Sequence, residues 1–315
     1  MKVRKSFLLV ILTIFVFLVS GCSSITQAGK EKTASFKDST GRIVSIKAKP
    51  QRIVSLTLGT DEILLDLVEP ERIAALTYLA DDQGISFVTD KSRQVKSKIR
   101  SNSAEEILAL KPDLVLIADW WGLDMLQTLR DMGVPVYVYK TPYTVSDIKN
   151  TIREVGRVVG EPQRAENVID VFDDKIKNVE LKAAKIPTAE RKRVIALTGK
   201  DGFGAKGGLY DDMCSYAGVR NCLSEDTGCQ FNGLSKERIL QLNPDCLLVT
   251  VWDANGMMKS QTKEEIMSDE GLKPVKAIQN DDIAAINGKC VFCVSQYTAD
   301  SIEMLAKAVY PKYFK

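Results

Sequence analysis

Asn102-Ser103-Ala104-Glu105-Glu106-Ile107-Leu108-Ala109-Leu110-Lys111-Pro112-Asp113 is echoed 132 residues later by Leu234-Ser235-Lys236-Glu237-Arg238-Ile239-Leu240-Gln241-Leu242-Asn243-Pro244-Asp245. In the first copy Ser103 is placed to cap the free N–H groups of a helix, and Glu106, three residues on, to reach back to the cap, the pattern of a capping box. The helix, Ala104 to Leu110, has to stop before Pro112. Each copy then runs into an apolar strand, Leu114 to Ile117 and Leu247 to Val251. A repeated unit of helix, x-Pro-Asp and buried strand points to a duplicated domain.

Working outward, strand and helix patterns alternate with short joins in both halves. In the first, Arg52 to Leu56 reads as a strand, Thr60 to Leu67 as an apolar-striped helix with Asp61 and Glu62 in its first turn, and Ile73 to Leu76 as a strand. Leu123 to Met132 and Val134 to Tyr139 add a helix and a strand; Arg193 to Leu197 and Gly208 to Ala217 begin the same order again. Such alternation packs as parallel sheet covered on both faces. Between the halves, Ala165, Val168, Ile169, Phe172, Ile176, Val179, Ala183 and Ile186 recur at helical spacing after Pro162, which suits a first helical turn. A helix of that length is a rod of about 33 Å. The fold class expected is therefore α/β, two Rossmann-like lobes with central parallel sheets joined by a single long helix. The expected division is 41–143 for the first lobe, 144–187 for a helical segment with the bridging helix, and 188–315 for the second lobe.

The amino terminus predicts where the chain works. Lys2, Arg4 and Lys5 precede an apolar run of 13 residues, Phe7 to Val19, which ends in Leu18-Val19-Ser20-Gly21-Cys22. The run is shorter than the roughly 20 residues that cross a bilayer as a helix. Basic end, apolar core and small residues at the cut are a signal-peptide layout, and Leu-Val-Ser-Gly-Cys resembles a bacterial lipoprotein cleavage box. Residues 1–21 would be removed and Cys22 lipidated, with a second acyl chain needed for stable anchoring. Residues 22–40, rich in Ser, Thr, Gln, Gly and Lys, read as a flexible tether. The expected location is extracytoplasmic, on the outer face of the cytoplasmic membrane or in the periplasm.

Composition narrows the function classes. Without residues 1–21 the chain has 40 basic and 41 acidic residues, a net charge of −1, so bulk charge recruits no nucleic acid. Histidine is absent, which removes imidazole metal ligands and the commonest general base near neutral pH. An enzyme is accordingly the weakest reading, although Asp119 and Asp253 occupy corresponding loops. Six cysteines follow the anchor, Cys214, Cys222, Cys229, Cys246, Cys290 and Cys293, an even number that suits disulfides or buried thiols better than a metal knuckle.

Two lobes side by side leave a cleft, and open α/β sheets bind ligands beyond the carboxyl ends of their strands. The segments at those ends carry Tyr78, Trp120, Trp121 and Lys140 in the first half and Phe203, Trp252 and Tyr297 in the second. All three tryptophans fall in such loops, and flat aromatic faces beside a few charges suit a bulky, partly planar ligand.

Pro50-Gln51-Arg52-Ile53-Val54-Ser55-Leu56 with Thr60-Asp61-Glu62-Ile63-Leu64, then Glu106 to Leu116, then Pro311-Lys312-Tyr313-Phe314, resemble the periplasmic binding proteins that serve ABC importers of iron-siderophores, haem and cobalamin. The resemblance covers roughly residues 41–315. It implies two lobes bridged by one long helix, modest closure on the ligand, and delivery to an ABC permease and ATPase. It also implies one docking carboxylate per lobe, which by position in the repeat are Glu105 and Glu237. The function expected is capture of an iron-siderophore by a monomeric, lipid-anchored protein with no cofactor or resident metal of its own. Corrinoid or haem capture by the same mechanism, or a lipid-anchored sensor or scaffold, are the alternatives.

Overall fold

The computed structural model describes residues 32–101, 103–120, 123–198, 201–225, 234–251 and 263–315. Cys22, Trp121, Cys229, Trp252 and Asp253 lie outside them. No helix among the described residues is long and apolar enough to cross a membrane.

The described chain opens on an antiparallel hairpin, β1 (Thr33–Lys37) and β2 (Ile43–Lys47), with Phe36 opposite Val44. Residues 33–40, expected to belong to the tether, instead form β1 and the turn after it. Alternation in Ile43-Val44-Ser45-Ile46-Lys47 is the reason: Val44 and Ile46 are buried while Ile43 and Ser45 face out. The hairpin turn is clamped to the first lobe by Asp38, whose carboxylate meets Arg130 at 3.0 Å, and by the Ser39 N–H on the Val138 carbonyl at 2.8 Å.

Two five-stranded sheets follow. The first contains β3 (Ile53–Ser55), β4 (Ile73–Thr77), β5 (Lys98–Ile99), β6 (Leu114–Ala118) and β7 (Val136–Tyr139) in the order β5-β4-β3-β6-β7, all parallel. The second contains β8 (Arg193–Thr198), β9 (Asp201–Phe203), β10 (Arg220–Asn221), β11 (Cys246–Val251) and β12 (Ile283–Asn287) in the order β10-β8-β11-β12. Its one departure from parallel pairing is β9, which folds back antiparallel on β8 with Phe203 opposite Ala196. Strand order reverses between β3 and β6 and again between β8 and β11, the positions at which an open sheet offers a ligand crevice.

The repeat is reproduced down to individual bonds. The Asp113 carboxylate accepts the N–H groups of Gln51 at 2.9 Å and Arg52 at 2.8 Å, and Asp245 accepts that of Arg193 at 2.9 Å, so each Pro-Asp pins the start of its lobe's first strand. In return Arg52 donates to the Leu110 carbonyl at 3.1 Å and Arg193 to that of Leu242 at 2.7 Å, covering the free end of each repeat helix. Lys111 and Asn243, the equivalent residues before each proline, share a left-handed backbone at φ 49° and 42°. The capping box is half formed. Ser103 accepts from the Glu106 N–H, but the Glu106 carboxylate takes the Ser101 hydroxyl instead of returning to the cap.

The bridging helix, Pro162–Ala183, has its proline in the first turn and buries Ala165, Ile169, Phe172, Ile176, Val179 and Ala183. This face is not a bare spacer. One apolar cluster runs through it from Ile63, Leu67 and Tyr137 of the first lobe to Val194, Met213, Leu248 and Ile302 of the second. Phe172 is 1% exposed at its centre, so Phe172→Ala should cost about 3–5 kcal/mol through lost burial and a cavity. A denaturant titration that placed the variant within 1 kcal/mol of wild type would contradict a core shared by both lobes, on the order expected for a surface site.

Cys214, Cys222, Cys246, Cys290 and Cys293 are free and buried, so of the two alternatives these five follow the buried-thiol one and not the disulfide one. Burial pushes the Cys222, Cys246 and Cys290 thiols up to about 12, which keeps them neutral and inert.

Candidate ligand-binding site

At the carboxyl ends of β3, β4 and β7 a buried chain of polar side chains holds the strand ends together. Tyr139 and Thr57 share a hydroxyl contact of 2.6 Å, Thr57 and Thr60 one of 2.8 Å, and Thr60 and Ser55 one of 2.6 Å. Thr57 is also the N-cap of the helix Leu58–Leu67. The chain continues to Asp61, whose carboxyl accepts the Thr77 N–H at 3.1 Å and the Thr77 hydroxyl at 2.5 Å. Asp61 is fully buried, and burial pushes its carboxyl up to about 8. The helical pattern placed Asp61 and Glu62 in the first turn of this helix, and there both are fully buried and bonded to other elements.

Asp61 fixes the end of β4, and the next residue opens a cavity. Leu56, Thr77, Tyr78, Ile99, Arg100 and Met125 line a space of about 230 Å³ at the ends of β3, β4 and β5. The Arg100 guanidinium lies over the Tyr78 ring at 5.7 Å and has no carboxylate partner among the described residues. A guanidinium held on a ring face and paired there with no carboxylate can take an anionic group. Arg100 escaped the sequence reading because β5 is two residues long and carries no periodicity to mark its end.

The other expected residues divide. Trp120 is 65% exposed in the turn after β6, and Lys140 is exposed after β7. Asp119 ties these two turns together by accepting the Thr141 N–H at 3.1 Å and its hydroxyl at 2.5 Å, which is a structural use of that carboxylate. Phe203 closes β9. Tyr297 is half-buried: its hydroxyl meets Asp66 at 3.1 Å, and its ring stacks on Phe87 with centroids 5.3 Å apart. No group of three His, Cys, Asp or Glu side chains able to hold a metal occurs among the described residues.

Glu105 and Glu237 occupy matching places. Each stands exposed in the first turn of its repeat helix, after an N-cap serine whose hydroxyl accepts a backbone N–H. The Ser103 hydroxyl, then the backbone, holds the Glu105 carboxyl below the usual carboxylate range. For Glu237 the backbone leads and Ser235 follows. Both are therefore exposed carboxylates at neutral pH.

The sequence profile of the family described as Periplasmic binding protein matches residues 53–289. The chain belongs to this family. An uncharacterised ABC transporter substrate-binding lipoprotein of Bacillus subtilis (strain 168) is 24% identical over 322 residues, covering 95% of each chain. A vitamin B12-binding protein of Vibrio parahaemolyticus is 23% identical over 255 residues, 75% of this chain and 81% of its own. Among solved structures, the periplasmic heme-binding protein RhuT from Roseiflexus sp. RS-1 superposes with a TM-score of 0.71 at 23% identity, over 84% of this chain and 99% of its own, a likeness of fold. The α/β architecture and the family expected from sequence both hold.

Proposed function

We propose that this protein, lipid-anchored through Cys22 outside the cytoplasm, captures a bulky metal chelate at the strand ends and hands it to an ABC permease. The single observation that carries the reading is the Arg100–Tyr78 pair, a guanidinium with no carboxylate partner among the described residues laid on an aromatic wall of a cavity at the carboxyl ends of a parallel sheet. An anionic chelate such as a ferric siderophore, or haem through its propionates, satisfies that pair. Trp120, Trp121, Lys140, Phe203 and Trp252 are the further contacts proposed, and binding makes and breaks no bond. Corrinoid capture is a second reading, favoured by the curated relatives named for vitamin B12.

The test is titration of the purified protein with ferric siderophores, haemin and cyanocobalamin, following tryptophan fluorescence. Arg100→Ala should weaken an anionic chelate about 10- to 100-fold, the loss expected for one charge-assisted contact, and leave cyanocobalamin untouched. Saturable binding of none of the three classes would favour the scaffold alternative.

A further inference from the structure

Charge is unevenly shared along the chain. Residues 33–52, the hairpin β1–β2 and the segment leaving it, carry five cations and one acid, whereas residues 53–315 carry 33 cations and 39 acids. The one acid of the hairpin, Asp38, is turned inward. It is 4% exposed, accepts the N–H groups of Thr40 and Arg42 at 3.0 Å each and the Thr40 hydroxyl at 2.6 Å, and is neutralised by Arg130 at 3.0 Å. The same bonds fix the turn, in which Gly41 takes a left-handed φ of 85°.

The outer face and turn of the hairpin therefore carry cations alone. The register sets Thr33 opposite Lys47, Ser35 opposite Ser45 and Lys37 opposite Ile43, on the face away from buried Val44 and Ile46. Lys47 has Asp113 at 3.9 Å and, just beyond β2, Lys49 has Glu161 at 3.4 Å. Lys37 and Arg42 are exposed and meet no carboxylate among the described residues. Ile43, beside Arg42 and opposite Lys37, is 63% exposed. Unpaired cations around an aliphatic side chain suit a lipid interface, where phosphates take the charges and the headgroup boundary takes the aliphatic group.

The position of the hairpin in the chain selects that partner. Thr33 follows Cys22 by 11 residues, which reach about 40 Å at full extension. A compact unit of roughly 280 residues is about 50 Å across. With Cys22 held in a bilayer, so short a connection does not span the unit, and the hairpin is kept from its far side.

We propose that the outer face of the hairpin, through Lys37, Arg42 and Ile43, rests on the anionic lipid surface in which Cys22 is anchored, so that the protein waits for its ligand in a set orientation. The contact rests on the anchor at Cys22 and is independent of which ligand is bound. Such cations gain only within a Debye length of the surface, about 8 Å at physiological salt, so the contact is reversible, and tethering is what keeps it populated.

The test places the full-length protein, purified from membranes, in nanodiscs of phosphatidylcholine with or without phosphatidylglycerol. A dye attached through an introduced keto amino acid, which spares the native thiols, would sit at Ser45 on the outer face or at Gln279 in the second lobe. Quenching by lipids with a nitroxide headgroup reports proximity to the surface. Quenching at Ser45 should be about threefold stronger with phosphatidylglycerol than without, and about 0.5 M NaCl should remove the difference. Lys37→Glu with Arg42→Glu should remove it too, with circular dichroism unchanged, and Gln279 should not respond to lipid composition. Equal quenching at Ser45 in the two lipids, or a difference that survives charge reversal, would overturn the contact. The mass of the amino-terminal peptide reports the anchor separately: an acylated Cys22 with equal quenching ends the contact alone, whereas an unacylated Cys22 ends the anchor and the contact with it. The wild-type comparison of lipids and salt decides the matter even if the charge-reversed variant does not fold.

Discussion

Cells whose only copy of this protein carries Glu105→Ala together with Glu237→Ala should take up no ligand above background, although the purified variant binds that ligand with wild-type affinity. Each carboxylate stands in the open, held ionised by its cap serine and by backbone N–H groups, and each occupies the same turn of a duplicated unit. A permease of two subunits calls for two such knobs, and truncating one partner of an interfacial ion pair typically costs about 2–5 kcal/mol. Losing both should lower transport by at least about a hundredfold. Neither residue lines the cavity at Tyr78 and Arg100, so affinity is the internal control. Uptake of an iron-labelled chelate or of labelled cyanocobalamin, whichever the purified protein binds, measures the effect; wild-type uptake by the double variant would remove the docking assignment.

Glu62→Gln should stabilise the protein at alkaline pH and leave it unchanged at acid pH. Burial pushes the Glu62 carboxyl up to about 7 from an ordinary value of 4.5, and Ser295 and Phe87 offset only part of that cost. The folded state therefore holds this proton more tightly than the unfolded chain does. Below pH 4.5 both states are protonated and Glu62 costs nothing; as the pH rises through about 7 unfolding releases a proton and stability falls. Asp61, raised to about 8 by its own burial, acts in the same direction. Glutamine keeps an acceptor for Phe87 and a donor for Ser295 without the charge, so it should recover about 3 kcal/mol above pH 8. Urea titrations at pH 5 and pH 8.5 would show it. Equal destabilisation by the variant at both values would mean that Glu62 is held as a carboxylate in the folded protein.

These two predictions rest on features of different legibility. The two exposed, serine-capped glutamates were readable because they belong to a repeat: serine, two acidic or basic positions, an apolar stripe and Pro-Asp recur in register, and the structure returns the same caps and the same strand ties in both lobes. The bridging helix was readable for a like reason, since an apolar stripe at 3.6-residue spacing extends over six turns. Glu62 offered no such signal. An acidic residue in a helix's first turn reads as a solvated neighbour of the dipole, and what buries it is a loop 231 residues further on, ending in Cys293 and Ser295. Arg100 was hidden by the brevity of β5, and Tyr297 was placed by the rule that strand ends face ligands, although its ring and hydroxyl are taken up by Phe87, Asp66 and Lys91.

Periodicity, capping and proline placement act over a turn or a strand, so the residues alone determined the alternating elements, the duplication, the rigid helix between the halves and the serine-anchored knobs. Which carboxylates are solvated and which are buried, and which aromatic rings stand exposed and which stack on a neighbour, were decided only by tertiary packing. Burial and pairing of a charge depend on what distant segments bring against it, and nothing within reach of a helix turn encodes that contact.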